Sequence, residues 1–160
     1  MNEQTDAQSD HRPPRSPLAA WIGPLLILAA GAAMLVWTWG RWADVFIDFG
    51  RELYVPWRIA AGEVLYRDLA YLNGPLSPTF NAALFALFGT GIRTLAIANI
   101  VLIGVQIVVL YRLLAFVGSR FSATIASLVF VLLFAFGTQR ITGNYNNVMP
   151  YSHELTHGIL

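Results

Sequence analysis

The sequence predicts an all-α membrane protein with about three transmembrane helices and interfacial helices in a long outer loop. Composition, uncharged runs of spanning length, and a charged, aromatic-rich stretch between the first two runs predict it. Hydrophobic residues make up 56% of the 160 and charged residues 12%, against about 25% charged in average soluble proteins. All the basic residues are Arg, the net charge is +1, and neither sign forms a block, so nothing suggests nucleic acid as a partner. The absence of Cys excludes disulfides, thiolate metal ligands and a cysteine nucleophile.

Residues 1–17, MNEQTDAQSDHRPPRSP, are polar and Pro-rich. They hold too few apolar side chains to offset the entropy of ordering and read as a disordered cytoplasmic tail, which contains His11. Residues 18–38 follow without a single charge, long enough at about 1.5 Å per residue to cross a hydrocarbon core of about 30 Å. Their length and the acidic residues upstream argue against a cleaved signal peptide. Trp21 near one end and Trp37, Trp39 and Trp42 near the other fit the two interfaces.

Residues 40–93 mix ten charged side chains with aromatics and are the outer loop. Phe46, Phe49, Leu53, Val55, Pro56 and Trp57 recur at roughly helical spacing beside charges, which predicts an interfacial helix ended by Gly62. The apolar stretch 75–88 contains Pro78 and Asn81, and its shortness favours an interfacial or re-entrant segment over a span. Residues 94–116, interrupted by Asn99 and Gln106, form the second predicted span, and 121–138 the third, with VGSR turning between them. Arg12, Arg15, Arg112 and Arg120 then lie on the cytoplasmic side. The outer loop and the polar stretch 139–158 share the opposite face, which places a site at the outer membrane surface. The chain turns apolar again where it stops, as the N-terminal part of a longer multi-span domain (18–160) would.

The loop reads VFIDFGRELYVPWRIAAGEVLYRDLAYLNGPLSP. An acidic residue soon after the first span, an interfacial helix, a G-x-x-x-Y-x-D step and G-P-L-x-P before the next apolar segment resemble the bacterial multi-span glycosyltransferases of the GT-C superfamily. The closest resemblance is to the family 39, dolichyl-phosphate-mannose protein mannosyltransferase-like group, over residues 18–160. The resemblance implies inverting sugar transfer from a polyprenyl-phosphate-linked donor to an acceptor at the outer face of a bacterial cytoplasmic membrane. It puts the general base at Asp48, where a carboxylate takes the proton of the attacking hydroxyl. Arg51 and Arg58 are local candidates to stabilise the leaving phosphate. Many relatives have Asp-Glu where this chain has Asp48-Phe49, and Glu52, one turn on, is a second carboxylate candidate. Asp48 paired with Arg51 or Arg41 is the plain alternative. Asp68 reads either as a groove residue or as a turn residue.

The stretch PYSHELTHGIL contains H-E-x-x-H at His153, Glu154 and His157, a pattern in which two His one turn apart bind zinc while the Glu activates water. The remaining His is His11, so a third ligand is not evident, and a membrane zinc metalloprotease stands as an alternative beside a non-catalytic assembly protein. Under the glycosyltransferase resemblance, His153 and Glu154 contact acceptor, lipid phosphate or a divalent ion, and Tyr145 stacks on sugar or prenyl groups. No cofactor is required by the sequence, and a divalent metal is compatible with it. The implied partners are the membrane, a lipid-linked sugar donor and the rest of the helical bundle.

Overall fold

A computed structural model describes residues 17–42, 49–137, 146–150 and 152–158. Among these the chain is helical: α1 (Pro17–Thr38), α2 (Phe49–Ala60), α3 (Leu76–Phe88), α4 (Ile92–Val117), α5 (Arg120–Val129) continued by a π-helical turn (Phe130–Ala135), and the short α6 (His153–His157). Two helices are long and apolar enough to cross a membrane, Ala20–Thr38 within α1 and Ile92–Val117. Both lie within two residues of their predicted ranges, because unbroken apolar runs leave helix as the way to satisfy the backbone in lipid.

The predicted third span does not reach spanning length among the described residues. Arg120–Ala135 is a shorter apolar helix, about 24 Å long at 1.5 Å per residue against a hydrocarbon core of about 30 Å. Ser119 caps its start by accepting from the Ser122 N–H at 3.1 Å. At the far end the hydrogen-bond ladder widens to π-helix, and Phe136 leaves the helical region with φ −118° and ψ 12°. The carbonyl of Ala135 accepts instead from the Asn147 N–H at 3.1 Å, tying this end to the tail.

α2 is a helix where the sequence predicts the interfacial one. It buries Phe49, Glu52, Val55 and Pro56, carries Glu52 in its first turn and Arg58 in its last, and so matches its charges to the helix dipole. Gly62 ends it at φ +101°, a left-handed conformation that favours glycine. α3 packs along α2 and buries Ser77, Pro78, Asn81, Ala82 and Phe85. At about 20 Å it is too short to span. The Gly89-Thr90-Gly91 turn folds α3 back beside α4, with Thr94 Oγ1 donating to the Gly89 carbonyl at 2.8 Å.

Ile27, Leu95, Ile103, Val131, Ala135, Phe136, Val148 and Met149 belong to the buried core between α1, α4, α5 and the tail. α1 and α5 approach closely where Gly23 faces Thr124, and a Cβ at Gly23 would stand 2.3 Å from Thr124 Oγ1. Most of the remaining α1 surface is exposed apolar side chain, such as Trp21, Leu28, Val36 and Trp37.

Candidate functional site

The tail is held by amides that interrupt the apolar helices. Asn99 Nδ2 donates to the Val148 carbonyl at 2.8 Å, and Gln106 Nε2 donates to the Thr156 carbonyl at 3.1 Å. Seven residues apart, the two amides lie on one face of α4, about 10 Å from each other along the axis. Asn146 donates through Nδ2 to the Trp42 carbonyl at 3.2 Å and accepts the Met149 N–H at 2.7 Å. The tail thus runs beside α4 with its backbone paired to buried side chains, as buried peptide groups require.

α6 brings its side chains against α2 and α3. The His153 backbone N–H donates to the Glu52 carboxylate, so a carboxylate from another helix satisfies a donor at its first turn. Tyr71 Oη and Ser152 Oγ both donate to Glu154. Arg51 donates to Glu52 Oε1 at 2.8 Å and lies 5.8 Å from the Tyr71 ring centroid. Arg51, Glu52, Tyr71, His153 and Glu154 therefore form one cluster joining the loop to the tail.

His153 is fully buried. Asn81 Nδ2 stands 3.0 Å from its Nδ1; an amide N–H can only donate there, so Nδ1 accepts and Nε2 carries the proton. That Nε2 has no hydrogen-bond partner. Burial above all, then His157 and Arg51 nearby, pushes the His153 pKa down from 6.5 to about 3. His157 lies between Ser77 Oγ, 2.9 Å from Nδ1, and Asn99 Oδ1, 3.2 Å from Nε2. The amide oxygen accepts from Nε2–H, the serine hydroxyl donates to Nδ1, and burial lowers this pKa also. Both rings are neutral.

Burial raises the Glu52 pKa and the neighbouring Glu154 adds to it, while the Arg51 hydrogen bond and the His153 N–H pull the other way. A buried carboxylate in such surroundings keeps its proton further up the pH scale than a solvated one.

The remaining predicted residues fall elsewhere. Arg58 pairs with Glu63 and stacks on Trp57 and Tyr54, with its Cζ 5.6 and 6.0 Å from the ring centroids. Asp68 is a turn residue: Arg67 holds its pKa down, and it accepts the Val64 N–H at 2.9 Å. The loop around Tyr66, at φ +67°, uses Asp68 for its own shape and leaves it outside the cluster. Asp48 and Tyr145 lie outside the described residues.

The H-E-x-x-H pattern folds as the predicted helical turn, with the two ring centroids 5.6 Å apart. The donors nevertheless do not fit a two-histidine zinc site. Both nitrogens of His157 are committed to Ser77 and Asn99 and the Nδ1 of His153 to Asn81. Glu154 is turned toward Tyr71 and Ser152. Among the described residues no three His, Cys, Asp or Glu side chains converge as a metal group.

Asn81, Asn99, Gln106 and Ser77 hold the cluster together, yet in the sequence they stand only as interruptions of apolar runs. The signal was their chemistry, since an amide inside a long apolar helix is costly unless it meets a partner. No protein-family model, curated protein or solved structure matches this chain.

Proposed function

We propose that the chain carries the loop and tail segments of a multi-pass membrane glycosyltransferase. It would transfer a sugar from a polyprenyl-phosphate-linked donor to an acceptor at the outer face of a bacterial cytoplasmic membrane. The observation that carries this reading is the meeting of the charged loop with the tail: Glu52 receives the His153 N–H and Tyr71 reaches Glu154. A three-span topology would put these two polar segments on one face, and a carboxylate, a guanidinium and aromatic surface lie side by side at their junction. Two long apolar helices support a membrane setting.

In the proposed reaction the acceptor hydroxyl attacks the anomeric carbon while the bond from that carbon to the phosphate oxygen breaks. The electron pair leaves with the phosphate, and the hydroxyl proton passes to Asp48, the residue before Phe49. Phe49 packs against His153 at 6.1 Å between centroids, so the chain enters α2 beside the cluster. Arg51 is the cation next to the leaving phosphate, in the role that fixed positive charge plays when negative charge develops. Glu52 fixes Arg51 and the start of α6 together. Arg58, committed to Glu63, plays no part in this step.

Asp48→Asn and His153→Ala in the purified full chain, assayed side by side for sugar release from a polyprenyl-phosphate donor, test the reading. Loss of about 10²- to 10⁴-fold in Asp48→Asn, with turnover retained in His153→Ala, is expected. Stoichiometric zinc lost with His153 and accompanied by peptidase activity would replace this function with proteolysis.

A further inference from the structure

Neighbours at the start of α2, Glu52 and Arg51 differ sharply in exposure. The Glu52 side chain is 3% exposed and the Arg51 side chain 40%, so a buried carboxylate anchors a guanidinium that reaches the surface. Both bonds fall on one oxygen: Arg51 Nε and Nη2 donate to Glu52 Oε1 at 3.2 and 2.8 Å. They fix that edge without the two-oxygen fork that sets the plane of an Arg–carboxylate pair.

The loop supplies a face for that plane. Arg51 Cζ stands 5.8 Å from the Tyr71 ring centroid, within cation–π range. The tail in turn places the ring. Tyr71 Oη donates to Glu154, and Ser152 Oγ donates to the same carboxylate. Glu154 is half-buried and both of these contacts lie inside the protein, so its carboxylate serves the ring, where the H-E-x-x-H pattern would have it serve a substrate. A phenol that donates to a carboxylate also gains electron density in its ring, which strengthens its hold on a cation.

We propose that Tyr71 is a positioning residue for sugar transfer and that Glu154 acts through it, the two holding the Arg51 guanidinium where the leaving phosphate gathers charge. This rests on the sugar-transfer reading, and it makes the tail a part of the transfer site. Charge on the phosphate oxygen grows as its bond to the anomeric carbon breaks, so a well-placed cation favours the transition state over the bound donor. Misplacing it lowers kcat and leaves KM alone.

The full chain is reconstituted in nanodiscs and assayed for transfer from a polyprenyl-phosphate sugar. Arg51→Gln should lower kcat by about 10²- to 10³-fold. Tyr71→Leu, which removes the ring, should lower it by about 5- to 30-fold with KM unchanged. Tyr71→Phe, which keeps the ring but unties it from Glu154, should lose less. Adding Tyr71→Leu to Arg51→Gln should cost nothing further, since no guanidinium is left to place. Glu154→Leu should lower kcat as Tyr71→Phe does, and Glu154→Gln, which keeps an oxygen to accept from Tyr71, should recover most of that loss.

Losses that multiply in the Arg51→Gln, Tyr71→Leu double variant would give Tyr71 an ordinary structural role and overturn the proposal. So would a rise in KM at constant kcat, a Tyr71→Leu protein as active as the wild type, or a Glu154→Gln protein no better than Glu154→Leu. A wild type that transfers no sugar fails at the earlier step, overturning the sugar-transfer reading and this inference with it.

Discussion

Acid should release the tail from the loop, and His153 sets the size of the effect. Its pKa falls from 6.5 to about 3 on folding, so the folded state resists a proton that the opened segment accepts. The stability this provides is fully present above pH 6.5 and is lost as pH falls toward 3. Between pH 7.5 and pH 4.5 the loss comes to about 3 kcal/mol, roughly a hundredfold in the opening equilibrium. Below pH 3 it reaches about 5 kcal/mol.

The groups facing His153 act in both directions. His157 is also held neutral by burial and adds to the acid sensitivity. Arg51 keeps its charge throughout, whereas Glu52, with its raised pKa, gains stability as pH falls through its folded pKa. A control is needed to separate these contributions. Amide hydrogen exchange of residues 152–158 in nanodiscs, corrected for intrinsic rates, reads the opening directly. Wild type should lose about a hundredfold in protection relative to His153→Gln, which cannot take up the proton. Equal pH dependence in both proteins would refute the assignment of a neutral, buried imidazole.

Three further outcomes follow from the packing. Gly23→Val should destabilise the α1–α5 contact by about 1–3 kcal/mol, because the new Cβ stands 2.3 Å from Thr124 Oγ1; Thr124→Gly should restore part of it in denaturant unfolding. Asn99→Leu leaves the Val148 carbonyl and His157 Nε2 without their partner, and each orphaned group costs about 1–3 kcal/mol. Limited proteolysis should then cut the tail at concentrations of protease that spare the wild type. Asp68→Asn should alter the local loop, read by exchange at Val64, and leave the proposed sugar transfer unchanged, since its carboxylate serves Val64 and Arg67.

The helices were legible where the physics is one-dimensional. Uncharged runs predicted α1 and α4, and charges interleaved with aromatics at helical spacing predicted α2 and its stop at Gly62. Residues 121–138 read as a span by their uncharged length, and among the described residues the helix there, Arg120–Ala135, stays shorter than a span. The π-helical turn and the capture of the Ala135 carbonyl by Asn147 depend on a segment distant in sequence. Asp68 and Arg58 were candidates by residue type, and their partners proved to be local, Arg67 with Val64 and Glu63.

The sequence by itself determined that two helices are long enough to cross a membrane, that charge gathers in one loop and one tail, and that HELTH makes a helical turn with its histidines adjacent. These follow from apolar runs and from the helical repeat. Only the tertiary structure decided what the histidines do. Asn81, Ser77 and Asn99, brought from α3 and α4, occupy three of their four ring nitrogens, and Glu52 anchors the turn they stand on. Ring nitrogens look the same in a motif whether they face a metal or an amide. Which one they meet is set by burial, where each polar group must find the partner that the fold supplies.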